Sequence, residues 1–453
     1  MRLKKSGSTV RDMTDGIIWK HLVYFAFPLF IGNIFQQFYN TVDSIVVGNF
    51  VGADALGAVT STVPIVMTLI GTFVGLAMGA GVVVAQYFGA KDIKNLRAAT
   101  HTATVSTVVL SIIISGVGYC ATPYLLVMMN TPESVLKEAI VYLQIYTLGL
   151  GGLMLYNMGA AILRAVGDSK RPLYFLILAS ILNIILDLLF VIKFQAGVAG
   201  VAYATIIAQF ISGLAIFVRL FRSKECFSLT WHEMKIDGKI LHRIIAIGFP
   251  AGFQMAVTSF SNVFVQAYIN SFGAASTSGW GIYSRVDAFI VLPTQSMTMA
   301  VTTFVGQNAG AGKPERIHKG VHQAIAITMG FSAAIIAMIT IFAPGIAALF
   351  NQDKEVLVYA VLFLRLNTFF DPFNGINQLY AGALRGVGES RTPMLIMLGS
   401  FVVFRQIYLF IISRIFNSVY LIAFGYPAGW IVCAALMLLH IKRSSWEKKL
   451  GLP

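Results

Sequence analysis

Four carboxylic acids lie inside long apolar runs of this 453-residue chain: Asp43, Asp187, Asp287 and Asp371. A charged carboxylate in the hydrocarbon layer of a membrane costs at least ~2.5–3.5 kcal/mol. Each therefore needs a proton, a cation, a basic partner or a water-filled cavity. In the C-terminal half, Arg285, Arg365 and Arg405 accompany Asp287 and Asp371, and structural ion pairs are expected there. In the N-terminal half, Asp43 and Asp187 have no such base within the apolar runs. The default expectation for acids of that kind is a functional site.

Other chemistries find little support. Cys120, Cys226 and Cys433 lie far apart with no CxxC, so neither a disulfide framework nor a zinc site is expected. His318 and His322 have the i, i+4 spacing of metal ligands but no evident third partner, and read as a solvated helix start. GQNAGAGK (306–313) superficially resembles a phosphate loop, yet Gln307 stands where the first Gly is needed and Pro314 where Ser or Thr is needed. No nucleophile–base pair appears, so an enzyme, a cofactor and a firm metal site are not expected.

The elements that must hold the acids follow from composition. The chain is 57% hydrophobic and 11% charged, with mean hydropathy +0.77; soluble domains carry about 25% charge. A membrane span needs about 20 apolar residues. Twelve such runs are expected at 18–47, 55–84, 98–121, 135–162, 172–193, 197–218, 243–270, 278–305, 320–343, 356–383, 393–413 and 417–440. The fold class is all-α, a polytopic membrane protein. The linker 219–242 separates an N-terminal six-helix lobe, 1–218, from a C-terminal six-helix lobe, 243–453. Of the 33 Lys and Arg, 26 fall on one side of this topology, among them Arg2, Lys4, Lys5, Lys448 and Lys449. The positive-inside rule places that side, with both termini, in the cytoplasm. The net charge of +14 thus reads as loop charge that orients the protein, not as a nucleic-acid surface.

The halves repeat at an offset of 221 residues. LRAVGDSKRP (163–172) aligns with LRGVGESRTP (384–393), AQYFGA (85–90) with GQNAGA (306–311), Pro123 with Pro344 and Asn130 with Asn351; FPLF (27–30) aligns with FPAG (249–252) at 222. Six helices return the chain to its starting side, so the two bundles share one topology and are expected to face a central cleft suited to alternating access. The repeated Arg-Gly-acid-base-Pro loops read as helix connectors: Gly for the turn, Pro for the first turn of the next helix.

This topology groups the N-terminal acids. Asp43 and Asp187 lie about four and six residues from the outer ends of helices 1 and 5, a depth difference of ~3 Å. Asn183 is one turn from Asp187, and Tyr142 and Thr205 fall nearby in depth. Two carboxylates, an amide and two hydroxyls in one layer suit a proton or a hard cation such as Na⁺, with Asp43, Asn183, Asp187 and Thr205 as its oxygen donors. The duplicated positions, Tyr408 for Asp187 and Phe404 for Asn183, carry no acid. Pro28 and Pro250 lie within helices 1 and 7, and Pro28 is a candidate hinge.

FPLFIGNIFQQFYNTVDSIVVGNFVGADALGAV, AQYFGAKD, GQNAGAGKPE and LRGVGESRTP together resemble the multidrug and toxic compound extrusion (MATE) transporters, over about residues 17–440. The chain looks most like the bacterial DinF-type branch. That resemblance implies a proton- or sodium-linked site in the N-lobe, with Asp43, Asn183 and Asp187 at the positions of its helix 1 and helix 5 polar residues and Thr205 and Tyr142 as further members. The NorM-type branch uses acids in helices 7 and 10. Here Gln254 and Asn374 occupy those positions, with Asp371 one turn away, so a C-lobe site of Gln254, Asp287, Asp371 and Asn374 is a candidate. The function implied is antiport: H⁺ or Na⁺ enters while amphipathic, often cationic, organic compounds leave. The implied setting is the bacterial inner (plasma) membrane, with small organic substrates and the lipid bilayer as partners, no nucleic acid and a monomeric state. Two rivals remain. A lipid-linked saccharide flippase would favour a more cationic cleft, and a channel would not need the duplicated two-lobe plan.

Overall fold

A computed structural model describes residues 10–129, 131–416 and 418–444. Asn130 of the repeat, and Arg2, Lys4, Lys5, Lys448 and Lys449 of the charge count, lie outside the described residues.

Lipid offers no partner for a backbone N–H or C=O, so an apolar run that crosses it must close its own hydrogen bonds as a helix. Among the described residues, twelve helices are long and apolar enough to do this. They are α1 (Ile18–Val46), α2 (Ala53–Gly89), α3 (Ile93–Met128), α4 (Glu133–Ala165), α5 (Lys170–Lys193) and α6 (Gly197–Arg222). The second half holds α7 (Gly238–Asn270), α8 (Ala274–Gly310), α9 (Pro314–Ala348), α10 (Lys354–Val387), α11 (Arg391–Ile415) and α12 (Val419–Arg443). Each overlaps one expected run, and most extend several residues beyond it. Large apolar side chains stand exposed along them, such as Ile112, Leu178, Leu214 and Val358. A soluble monomer does not expose apolar surface on that scale; a lipid-facing helix must.

Acids outside the spans cap helices. Asp92 accepts from the Asn95 N–H at 3.1 Å and Asp353 from the Glu355 N–H at 2.8 Å. Asp168 accepts from the Arg171 N–H at 3.1 Å, and Asp237 from the N–H groups of Lys239 and Ile240 at 2.9 and 3.0 Å. The duplicated connectors behave as expected. Gly167 and Gly388 take φ of +85° and +96°, a region costly for other residues, and Pro172 and Pro393 lie in the first turns of α5 and α11.

The chain forms two compact units, each drawing on helices from both sides of the linker. Among the described residues, one unit comprises 10–12 with 31–252, and the other 13–30 with 253–444. The linker therefore belongs to the first unit, and α1 and α7 each divide their length between the two. The physical reason is local packing. The early part of α1 buries Leu22, Phe25 and Leu29 with α8 and α10 residues such as Phe304 and Leu384. The early part of α7 packs on α2, where a Cβ at Gly79 would lie 2.3 Å from the Ile244 carbonyl oxygen. Pro28 and Pro250 do not break their helices; they sit two or three residues before the points at which the chain changes unit.

Each of the two buried amide-bearing motifs of the repeat holds a partner distant in sequence. In the second unit Gln307 Oε1 accepts from the Met13 N–H at 2.9 Å, and Arg316 and Lys313 hold the carbonyls of Met13 and Thr14. In the first unit Gln86 Oε1 and the Tyr87 hydroxyl accept from Arg243 at 2.8 Å each. The GQNAGAGK run thus docks a chain segment, a role unrelated to phosphate.

Candidate functional site

Asp43 lies in the last turns of α1 and Asp187 in those of the regular part of α5. Each is followed within a turn by a π-helical stretch, Val47–Val51 and Leu189–Lys193. A π turn widens the helix and is common at functional sites. The carboxyl groups of Asp43 and Asp187 lie close enough to interact electrostatically. Asp187 has no exposed surface, and Asp43 is half-buried. Two carboxylates offer only acceptors, so they can share a hydrogen bond only when one carries a proton, and otherwise need a cation between them.

Asn183, on the same face of α5, is buried and donates through Nδ2 to Thr205 Oγ1 of α6 at 3.5 Å. Thr205 in turn donates to the Val201 carbonyl at 3.0 Å. This leaves Asn183 Oδ1 without a donor. Among the described residues, Asp43 Oδ1 and both oxygens of Asp187 are also buried without a hydrogen-bond partner. A cluster of orphaned acceptors is costly unless something supplies positive charge or a donor. Its donor set, carboxylate and amide oxygen, fits a proton or a hard cation.

Tyr142 of α4 is buried within electrostatic reach of both carboxyls, so the structure brings all five N-terminal residues together. It adds three more. Tyr146 stacks on Tyr142 at a centroid distance of 6.0 Å and hydrogen-bonds to Gln209 of α6. Tyr39, one turn before Asp43, hydrogen-bonds to Gln36. The i, i+4 spacings Tyr39–Asp43, Tyr142–Tyr146 and Thr205–Gln209 carried that signal in the sequence.

The second unit holds a different arrangement. Asp371 of α10 is buried and accepts from Asn374 Nδ2 at 3.3 Å. Asp287 of α8 hydrogen-bonds to the Tyr283 hydroxyl and lies within electrostatic reach of Asp371. Gln254 is buried on α7, and among the described residues no hydrogen bond joins it to these groups. The expected ion pairs are corrected here: none forms between these acids and Arg285, Arg365 or Arg405 among the described residues. Arg285 and Arg365 are exposed. Arg405 is buried but donates to Ser261 Oγ at 3.0 Å and Asn262 Oδ1 at 2.7 Å, with its guanidinium 4.6 Å from the Tyr426 ring. Neutral acceptors and an aromatic face reach it where the acids do not. Phe404 and Tyr408, at the duplicated positions, stack on each other at 6.4 Å. The rings of His318 and His322 lie 4.3 Å apart on an exposed turn.

The MatE family profile matches the chain twice, at residues 28–189 and 250–411. The chain belongs to the MatE family. The two matches start and end 222 residues apart, within one residue of the 221-residue offset of the internal repeat. The chain is 33% identical over 399 residues to the probable multidrug resistance protein YpnP of Bacillus subtilis, covering 87% of this chain and 88% of that protein. It is 28% identical to the probable multidrug resistance protein YoeA of the same organism, covering 95% of each. A solved outward-facing structure of a multidrug resistance MATE family transporter of the MOP superfamily matches with a TM-score of 0.91 at 24% identity, over 98% of this chain and 100% of that one. This MatE chain is therefore a multi-pass membrane protein of that fold.

Proposed function

We propose that this MatE protein is a multidrug efflux antiporter. A cation entering from outside is exchanged at Asp43 and Asp187 for an amphipathic, often cationic, organic compound leaving the cell. The observation that carries this reading is the buried carboxyl pair with its orphaned oxygens. The names of the relatives support the class of transport. The paired carboxyls favour a proton as the coupling ion; Na⁺ is the alternative that the orphaned Asn183 oxygen would serve.

In the mechanism, Asp43 and Asp187 without their ion present negative charge and open acceptors, and Tyr39, Tyr142 and Tyr146 present aromatic faces to an organic cation. Entry of the ion neutralises the pair and satisfies its acceptors. Charge attraction to the substrate falls, and Asn183 and Thr205 repack with the carboxyls. The exchange of α1 between units, just after Pro28, gives the pair a covalent route to the second unit. A ~150 mV proton-motive force is worth about 3.5 kcal/mol per proton, enough for a gradient of roughly 300-fold in one-for-one exchange with a neutral compound. Both termini are placed in the cytoplasm of a bacterial inner membrane, and the protein acts as a monomer on small organic substrates.

Efflux from proteoliposomes under an imposed pH gradient or an imposed Na⁺ gradient, one at a time, tests this reading. Accumulation against a gradient with either ion supports it, and the responsive ion names the partner. Transport that only equilibrates the substrate, whatever the ion gradient, would overturn it in favour of a passive pore.

A further inference from the structure

The linker between α6 and α7 is a folded element with one deliberately uncovered face. Phe227 and Leu229 are each 1% exposed and plug it into the first unit. The Leu229 N–H returns to the Leu220 carbonyl at 3.2 Å, folding the linker back over the last turn of α6. His101, buried in α3, accepts from the Thr230 N–H through Nε2 at 3.0 Å while Nδ1 lies 2.7 Å from the Arg97 carbonyl. Arg97 itself reaches Ser228 and Glu233, at 3.3 Å each, and Thr102 Oγ1 accepts from the Asp237 N–H at 3.0 Å.

Beside these anchors Trp231 is 79% exposed. Its ring stacks on Phe221, in the last turn of α6, at 4.6 Å. An anchored strap that leaves its tryptophan outward has a use for that ring. The end of a spanning helix lies at headgroup depth, where Trp is enriched. Charge around it points to the same medium. Arg222 and Lys224 are exposed and, among the described residues, unpaired; Arg219 is on the same last turn. Of the linker acids, Glu233 is held by Arg97 and Asp237 caps α7, which leaves Glu225.

We propose that the face formed by Phe221, Trp231, Arg222 and Lys224 is a docking surface for the headgroups of anionic phospholipids. Trp231 settles among the glycerol and upper acyl carbons, and the two cations meet phosphate. The strap thereby ties the start of α7, the helix shared by the two units, to the membrane surface.

The test uses full-length protein in nanodiscs of phosphatidylcholine containing brominated phosphatidylglycerol or, separately, brominated phosphatidylcholine. The Trp231 signal is the fluorescence difference between the protein and its Trp231→Phe variant, and aqueous iodide is the opposing quencher. The expected result is quenching by bromolipid and little by iodide. Phosphatidylglycerol should reach a given quenching at about fivefold lower mole fraction per basic residue involved. Arg222→Gln with Lys224→Gln should remove that preference while lipid quenching persists. Quenching by iodide alone would overturn the proposal, as would equal quenching by the two lipids. Shielding from both quenchers would show that protein covers the face, and would overturn it as well. None of these outcomes depends on whether the protein is an antiporter.

Discussion

At the scale of single residues, the account rests on carboxyl groups that have been buried without partners. Asp187 is fully covered, and among the described residues neither of its oxygens has a hydrogen-bond partner. An amide at either position is nearly isosteric but cannot lose and regain a proton. Asp43→Asn and Asp187→Asn should each cut the initial rate of gradient-driven efflux by more than roughly tenfold, a loss above about 1.4 kcal/mol of coupling. The double variant should be no worse than the worse single one, because the two groups act as a unit. Rates in energised vesicles, normalised to inserted protein, check this. Much of the site was legible in the sequence because a lone acid in an apolar run is conspicuous. Tyr39, Tyr146 and Gln209 were not singled out, although each sits one helical turn from a residue that was; aromatic residues in spans are common enough to hide a functional one.

At the scale of elements, two features shape the helices of the first unit. The first is the pair of π turns after Asp43 and Asp187. Hydropathy reads both as ordinary helix, since the change is in backbone pitch and not in residue polarity. The second is the crossing of α2 with the early part of α7. A Cβ at Gly79 would fall 2.3 Å from the Ile244 carbonyl oxygen and 2.7 Å from the Gly248 nitrogen. The obstruction is backbone, so neither partner can yield by a side-chain rotation. Gly79→Val should therefore force the helices apart at a cost on the order of 1–3 kcal/mol or more. Gly116→Val, on α3 where no atom lies within 4 Å, should be tolerated. Thermal unfolding of the two variants in the same detergent, followed by loss of monodisperse protein, compares them directly.

At the scale of the whole molecule, the duplication is a scaffold with unequal tenants. The connectors, the glycine φ values and the buried Gln86 and Gln307 repeat between halves, and the family profile matches both. The acid pair does not repeat: stacked Phe404 and Tyr408 stand where Asn183 and Asp187 would be. Repeat, helix count and spans were readable because each rests on local sequence. Span ends were read short, as for α3, expected at 98–121 and found at Ile93–Met128, because helices continue past the apolar run into the polar margin. The exchange of half-helices between units was not readable, since it depends on which distant surface a helix buries. Nor was the absence, among the described residues, of ion pairs around Asp287 and Asp371, because residues close in sequence class need not meet. The charge bias predicts the orientation: cysteines placed at Lys193 and Lys354 should react with an impermeant maleimide from outside intact cells, and those at Lys94 and Lys319 only after the membrane is opened.

The most direct measurement is ion release on substrate binding. Purified protein in weakly buffered detergent solution is mixed with an organic cation it binds, while pH is recorded in one experiment and displacement of bound radioactive Na⁺ in a parallel one. The account predicts that about one proton or one Na⁺ leaves per substrate bound, and that none leaves when Asp43 and Asp187 are both changed to Asn. Substrate that binds without releasing either ion, or equal release from the double variant, would contradict it.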